Sequence, residues 1–266
     1  MKTDKVKRVL LMQLGARAVE GDPSSGLKER GAGGLEYIRK LTEIEFPGLP
    51  FRKIIHAPSP LAAATAEAII GSARDLLWTS AEDTVVKESG MLFPDEKSMP
   101  GWLAISNGLP KNNPRFADLR KAISECVDQS KIGANFLSHE AGRIFQFIES
   151  ELTDIPEGET MLCLTPSPLP EAMVLWLREA RPHPRLKLRD IGRAHMLNHL
   201  DGFILFYKEG ILADVALANY RKKVRTRVFE EAVTKALKEK DRGAYNQAFA
   251  AAADKYGLPL EEIEDE

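Results

Sequence analysis

The sequence of this 266-residue chain predicts an α/β fold, a three-layer sandwich with a mostly parallel central sheet, followed by a C-terminal helical extension. Short apolar runs alternate along the chain with longer segments of helical periodicity. This alternation implies crossover connections between parallel strands that are covered by helices. Several of the apolar runs end at a glycine or proline turn, and in α/β proteins the functional groups usually lie at such strand ends.

The first predicted strand contains Val9, Leu10 and Leu11 and ends at the turn Gln13-Leu14-Gly15. Its consecutive apolar residues indicate a strand that is buried on both faces, and the glycine lets the chain turn sharply. Similar runs predict further strands at Arg52 to Ala57, Thr84 to Lys87, Glu159 to Thr165, Leu186 to Arg189 and Phe203 to Tyr207.

Helices are predicted between these strands, because apolar residues recur there at helical spacing. The second helix is expected to begin at Pro60, where the missing N–H of proline costs nothing, with Ser59 as its N-cap. The predicted helices are Leu27 to Ile44, Pro60 to Ala73, Pro100 to Ser106, Arg115 to Val127, Asn135 to Leu152 and Leu169 to Ala180.

Only helical patterns remain beyond Leu212, at Val215 to Glu239 and Gly243 to Tyr256, before an acidic tail. We therefore expect one α/β domain over residues 1–212 and a helical extension with the acidic tail over residues 213–266.

The composition excludes several classes of function. A net charge of −2 argues against a nucleic-acid partner, and no apolar run is long enough to span a membrane. The first residues contain no secretory apolar region. Cys126 and Cys163 lie far apart in apolar surroundings, which predicts buried free thiols in a reducing compartment. We expect a cytoplasmic protein without a metal or a cofactor.

Four motifs occur in a recognisable order. Gln13-Leu14-Gly15 follows the first strand, Leu27-Lys28-Glu29-Arg30-Gly31 comes next, a segment ending in Thr65-Ala66-Glu67 follows the second strand, and Thr165-Pro166-Ser167 ends a late strand. In order and spacing the chain resembles the histidine phosphatase superfamily, the phosphoglycerate-mutase-like fold. That family has Arg-His-Gly, Leu-Thr-Glu-x-Gly, Thr-Ala-Glu and His-Gly patterns in these places.

The resemblance implies that the phosphohistidine chemistry of the family is absent. The family's first arginine falls on Gln13, its nucleophilic histidine on Leu14, its second arginine on Leu61 and its second histidine on Pro166, while Gly15 keeps its identity. Phosphoryl transfer needs a nucleophile, and its transition state needs cationic donors. The chain therefore resembles a degenerate member of the family, a pseudoenzyme.

Five polar residues near the predicted strand ends are candidates for ligand binding, namely Arg17, His56, Ser59, Thr165 and Ser167. Arg17 is either an anion ligand or an exposed loop residue. His56 is either a proton-transfer or binding group, or a structural, hydrogen-bonded residue. The three hydroxyls lie at turn or cap positions, where such groups commonly satisfy backbone N–H groups.

Two further features have weaker functional interpretations. His195 and His199 have a spacing compatible with metal binding, but without a third ligand in the local pattern a packing or solvated role is favoured. Glu88 lies where some family members carry their acid, and we expect it to be a surface residue.

Three functions fit these observations. The first, which we favour, is a pseudoenzyme that binds a partner or a small anionic ligand. The second is a hydrolase of phosphorylated substrates with replaced chemistry that uses His56 and Arg17. The third is a structural subunit of an assembly. An open cleft surrounded by the polar candidates would favour an enzyme or ligand-binding function, whereas a cleft filled by Leu14, Leu61 and Pro166 would favour a scaffold.

The extension over residues 213–266 is the candidate contact for a protein partner or a homo-oligomer. Its basic cluster, Arg221 to Arg227, is either a solvated helix, which we favour, or a docking surface for an acidic partner or the acidic tail of a second copy.

Overall fold

The structure is a computed structural model of the chain. The residues that it describes are 6–20, 22, 24–30, 33–46, 51–75, 83–111, 114–130, 136–179, 187–188, 196–218, 230–235, 238, 243, 246–248 and 250–251. His195, the basic cluster Arg221 to Arg227, the acidic tail and the side chain of Cys126 lie outside this description.

The strands of the described fold are β1 (Val6–Gln13), β2 (Phe51–His56), β3 (Val85–Glu88), β4 (Thr160–Thr165), β5 (Lys187–Leu188), β6 (Gly202–Lys208) and β7 (Ile211–Ala218). They form a seven-stranded sheet in the order β3-β2-β4-β1-β6-β7-β5. Neighbouring strands are parallel, except that β6 pairs antiparallel with both β1 and β7. The predicted α/β fold with a mostly parallel sheet is therefore confirmed.

The helices that flank the sheet are α1 (Leu35–Glu45), α2 (Pro60–Asp75), α3 (Met99–Gly108), α4 (Phe116–Ser130), α5 (Phe136–Glu151) and α6 (Leu169–Glu179). In the first predicted helix the start is wrong. Leu27 forms a β-bridge with Arg17 instead, and Gly33 has a positive φ of 78° that is incompatible with helix. The helix begins only at Leu35.

The central position of β1 and β4 in the sheet explains their apolar sequences. All 6 residues of β4 are buried, and Val9 to Met12 of β1 are each at most 2% exposed. The edge strand β3 is exposed along its whole length. A strand covered by helices on both faces has no face for polar residues, and so its sequence does not alternate.

The predicted helix from Val215 is wrong at its start, because β7 continues the sheet to Ala218. The turn Glu209-Gly210 joins β6 to β7, and both residues have positive φ, 53° and 76°, as tight hairpins require. Alanines favour a helix in β7 by propensity, but pairing with β6 overrides this preference. β7 runs across residue 212, the predicted end of the α/β domain. A separate extension over residues 213–266 stays a prediction.

A short part of the predicted extension is described. Residues 230–235 are helical, and the Glu231 carboxylate lies 2.9 Å from the Lys40 Nζ of α1. Ala232 is 1% exposed, which indicates that this turn packs against the rest of the chain. None of the described helices is long and apolar enough to cross a membrane.

Candidate functional site

An open cleft lies where the carboxyl ends of β1 and β4 meet, with Gln13 and Thr165 in register at the ends of the two strands. The cleft has a volume of about 700 Å³. Its lining consists of Gln13, Leu14, Gly15, Ala16, Arg17, Ala18, Glu20, Lys28, Leu61, Pro166, Ser167 and His199. The strand ends of a parallel sheet are where ligands bind in α/β folds, and so this cleft is the candidate functional site.

The turn after β1 is tightly built. A Cβ on Gly15 would lie 2.4 Å from Leu27 Cδ2 and 2.9 Å from the Gly33 carbonyl oxygen, so that any other residue would force its neighbours apart. The Gly15 N–H donates to Thr65 Oγ1 of α2 at 3.3 Å, and the Thr65 hydroxyl donates to the Leu61 carbonyl at 2.7 Å. Thr65 of the Thr65-Ala66-Glu67 motif therefore supports the turn that forms part of the cleft.

The floor of the cleft is apolar. Leu14 and Leu61 are 6% and 4% exposed, and the half-buried Pro166 lies beside them in the lining. These three side chains line the cleft without filling it. None of them can accept a phosphoryl group or donate a hydrogen bond to an anion.

Gln13 brings an unsatisfied side-chain amide oxygen to this floor. The residue is 9% exposed, and its Oε1 has no hydrogen-bond partner among the described residues. A buried polar atom without a partner costs about 1–3 kcal/mol. Its backbone N–H donates to the Asp201 carbonyl at 2.9 Å, which holds the amide at the strand end beside the cleft.

Cationic side chains lie on one rim. Arg17 Nη1 donates to the Asp22 carbonyl at 2.6 Å. The pKa of the Asp22 carboxyl is lowered, mainly by hydrogen bonds from Ser24 and in smaller part by the charge of Arg17. Lys28 is exposed on the same rim, and Glu20 is the acid among the lining residues. The lining thus offers an anion two permanent cations against the carboxylate of Glu20, and the Asp22 carboxylate lies near Arg17 outside the lining.

Ser167 connects the cleft wall to a buried acid. Its hydroxyl donates to Glu171 Oε1 at 3.1 Å, and the Leu197 N–H donates to the same oxygen at 3.2 Å. Glu171, in the first turn of α6, is 0% exposed. Burial, with a smaller contribution from the charge of Asp201, raises the pKa of the Glu171 carboxyl to about 7, against hydrogen bonds that lower it.

His199 lines the cleft from the segment that precedes β6. Its Nδ1 lies 3.2 Å from the Leu14 carbonyl oxygen, and donation to that carbonyl requires the tautomer with the proton on Nδ1. The imidazole is thereby oriented by the turn after β1. His195, the other histidine of the pair with metal-binding spacing, lies outside the described residues.

Of the five candidate ligand-binding residues, Arg17 and Ser167 line the cleft, and His56, Ser59 and Thr165 do not belong to its lining. His56 is 7% exposed with Nδ1 3.0 Å from the Ala57 carbonyl oxygen. The buried Thr165 hydroxyl donates to the Leu92 carbonyl at 3.0 Å. The Ser59 hydroxyl accepts the Ala62 N–H at 3.2 Å, which is the predicted N-cap of α2.

Comparison with known proteins shows a distant fold likeness. No protein-family model and no curated protein matches the chain. Phosphoserine phosphatase from Entamoeba histolytica aligns with a TM-score of 0.45 and 12% identity, over 80% of this chain and 98% of that chain. A mycobacterial hydrolase aligns with a TM-score of 0.44 and 13% identity, over 80% and 96%. YhfR from Bacillus stearothermophilus aligns with a TM-score of 0.42 and 14% identity, over 80% and 95%.

The sequence assigned no cleft role to Lys28, to His199 or to Glu171, the buried partner of Ser167. Lys28 belongs to the Leu27 to Gly31 motif, whose pattern gives this lysine no role. Glu171 had a readable signal, because it is the charged residue within the apolar run from Leu169 to Leu177. No local signal places His199 beside Leu14, since that contact joins residues 185 positions apart.

A second acidic group lies away from the cleft. Asp95, His139 and Glu140 present ligand atoms within 4.8 Å of one another. The buried Glu140 carboxylate already accepts the Ser98 hydroxyl at 2.6 Å and an Arg143 N–H at 2.7 Å. Because these partners satisfy Glu140, we interpret the group as a structural network.

Proposed function

We propose that this chain is a degenerate histidine-phosphatase-like protein that binds a small anionic ligand in the cleft and transfers no phosphoryl group through histidine. The observation that carries the proposal is Leu14, which lies 6% exposed at the end of β1 and lines an open cleft. An apolar side chain at this position removes the nucleophile but leaves the binding volume.

The rim supports the anionic character of the ligand. Arg17 and Lys28 supply charge-assisted donors, and Glu20 opposes them only in part. The apolar floor of Leu14, Leu61 and Pro166 suits the body of a small organic acid better than bare phosphate.

The buried, free thiol of Cys163 fits a reducing compartment such as the cytoplasm.

The described contacts favour this proposal over a structural subunit. Residues 230–235 lie against α1 of the same chain through the pair of Lys40 and Glu231. This part of the extension is therefore engaged within the chain, whereas the cleft is open.

The first test is inorganic phosphate. A ligand at about 100 times its dissociation constant adds about 2.7 kcal/mol of stability, and we expect millimolar phosphate, vanadate or tungstate to give far less, because the floor lacks cations. Small dicarboxylates should raise the melting temperature more. The Arg17→Ala/Lys28→Ala variant should lose that rise, while the matched Arg74→Ala/Lys97→Ala variant, at two exposed cations away from the lining, should keep it. A large shift with phosphate alone would contradict the preference for an organic acid, and the absence of any shift with dicarboxylates would contradict anion binding in the cleft.

The second test is phosphohistidine. After incubation with a panel of phosphomonoesters we expect no acid-labile phosphate on the protein, since Leu14 cannot accept a phosphoryl group. The His56→Ala and His199→Ala variants are the controls. Phosphate release that disappears in either variant would establish replaced chemistry for phosphorylated substrates.

A further inference from the structure

The strand-turn-helix unit from β4 to α6 carries a hydroxyl and a carboxylate in contact. Ser167 lies between the end of β4 and the start of α6 and lines the open cleft. Its Oγ is 3.1 Å from Glu171 Oε1. A nucleophile and a base within hydrogen-bond distance, with the nucleophile facing a cleft, is the minimum arrangement of covalent catalysis.

The base is fixed in position. The Leu197 N–H donates to the same Oε1 at 3.2 Å, and so the oxygen that faces Ser167 is oriented by a third group. The second oxygen, Oε2, is buried without a hydrogen-bond partner among the described residues. Among the described residues, the hydroxyl of Ser167 is therefore the side-chain group in hydrogen-bond contact with this carboxylate that can exchange a proton with it.

The protonation equilibrium of Glu171 suits a base at neutral pH. Burial is the main cause that raises the pKa of its carboxyl to about 7, and the charge of Asp201 adds to it. A general base works best when its pKa lies near the working pH. An exposed glutamate has a pKa of about 4.3 and is a much weaker base.

We propose that Ser167 and Glu171 are a nucleophile and general base that hydrolyse carboxylic esters bearing an anionic group, an activity that rests on the proposed anion binding in the same cleft. We propose a carboxylic ester rather than a phosphoester as the substrate because the floor of the cleft is apolar. A carbonyl carbon is uncharged in the ground state, and Leu14, Leu61 and Pro166 can pack against an acyl chain. A phosphoryl group brings several negative oxygens, and these side chains would leave them without partners.

The reaction has two steps, the acylation of Ser167 and the hydrolysis of the acyl-enzyme. The Ser167 oxygen attacks the ester carbonyl while its proton passes to Glu171, and the tetrahedral intermediate collapses as the ester C–O bond breaks. The departing alcohol takes the proton from Glu171, leaving the acyl group on Ser167. A water molecule then gives a proton to Glu171 and attacks the acyl carbon. Serine leaves with that proton, and the free acid is released.

The test uses the anionic substrate mono-p-nitrophenyl glutarate and the neutral p-nitrophenyl butyrate. We expect nitrophenol release and a glutaryl adduct that intact-mass and peptide analysis place on Ser167. The Ser167→Ala variant should lose both. The matched Ser59→Ala variant, at the other Pro-Ser-Pro turn and away from the cleft lining, should keep both. An adduct at another residue, or release unchanged in Ser167→Ala, would overturn the proposal.

The role of Glu171 is tested by pH. Only the carboxylate accepts a proton, so the rate should rise as the pH passes through about 7 in the wild type. Glu171→Gln should lower the rate by about 100-fold or more and abolish this rise. If circular dichroism shows that Glu171→Gln does not fold, Glu171→Asp replaces it, with the carboxylate withdrawn by one methylene and the rate reduced. If Glu171→Gln leaves the rate and the pH profile unchanged, the contact between Ser167 and Glu171 is purely structural, and the proposal that Glu171 is the general base is refuted.

The experiments distinguish two claims, namely ester hydrolysis by Ser167 and Glu171 and the binding of anions in the cleft. If glutarate stabilises both the wild type and Ser167→Ala and no adduct forms, the pair is refuted and the proposed function stands. If Ser167 is acylated equally by the two esters and Arg17→Ala/Lys28→Ala leaves KM for the anionic ester unchanged, the pair stands and the proposed anion binding fails.

Discussion

Two turns of this molecule have the same three residues and different surroundings. Pro58-Ser59-Pro60 follows β2, and Pro166-Ser167-Pro168 follows the adjacent parallel strand β4. The Ser59 hydroxyl accepts a backbone N–H of its own helix, whereas the Ser167 hydroxyl donates to a buried carboxylate. The residue four positions on makes the difference, since it is Ala63 after Ser59 and Glu171 after Ser167.

The comparison shows that a turn motif does not by itself define a role. Both serines lie where a strand end meets a helix start, and a hydroxyl there normally satisfies the helix. Ser59 does so. Ser167 has instead a side-chain partner that tertiary contacts bury and orient. An N-cap hydroxyl contributes to stability alone. A hydroxyl that is hydrogen-bonded to a carboxyl whose pKa is about 7 can also transfer its proton to that carboxyl near neutral pH.

The largest expected effect is the pH dependence of stability at the second turn. The pKa of Glu171 is raised from 4.5 to about 7 on folding, and so the folded state holds the proton more tightly than the unfolded chain. The stabilisation is fully present below pH 4.5 and is lost as the pH rises through about 7. A shift of this size is worth about 3 kcal/mol.

Urea unfolding of the wild type and Glu171→Gln across this range measures the effect. The difference in free energy of unfolding between the two proteins should change by about 3 kcal/mol, with the wild type losing stability as the pH rises. A constant difference would mean that Glu171 titrates as an ordinary carboxylate.

A smaller effect should separate the two serines. Ser59→Ala removes an N-cap and should cost about 1 kcal/mol at every pH. Ser167→Ala removes a hydrogen bond to a group that is charged only above its pKa, and should cost about 1.5–3 kcal/mol at high pH and little at low pH. Melting temperatures of both variants at two pH values provide the measurement. Parallel losses in the two variants would mean that the turns are equivalent.

The smallest effect should come from copying the acid into the first turn. Ala63→Glu places a carboxylate four residues after Ser59, near the start of α2. Because Ala63 is only half-buried, the new group should keep an ordinary pKa and stabilise the helix dipole by about 0.3–1 kcal/mol. Ser59 should stay unreactive toward p-nitrophenyl esters. A reactive Ser59 would show that the burial of Glu171 is not needed.

The sequence predicted the parts of the fold that local patterns determine. β1, β2 and β4 are predicted because strands that are buried on both faces have continuous apolar runs. α2 is predicted from the proline at its start and from its N-cap serine. β7 was not readable, because its alanines favour a helix and only the pairing with β6 specifies a strand.

The position of the candidate site was predictable from the sequence. Gln13, Leu14, Leu61 and Pro166 were placed at the cleft from motif order alone, and they line it. The polar groups that act together were not predictable as a set. Leu197, which donates to Glu171, and His199, which contacts the Leu14 carbonyl, lie on the segment 196–201, and this segment approaches those residues only in the folded chain.

That segment connects the end of β1 and the first turn of α6 to one piece of backbone. The backbone N–H of Gln13 donates to the Asp201 carbonyl at 2.9 Å, and the backbone N–H of Leu197 donates to Glu171 Oε1 at 3.2 Å. Detachment of the segment would release both N–H groups together, although one bond is made to the end of β1 and the other to the first turn of α6. Groups that are released in one opening event exchange as a cooperative unit. We therefore expect the backbone N–H groups of Gln13 and Leu197 to show similar protection in native-state hydrogen exchange, and a ligand that stabilises the segment to slow exchange at both.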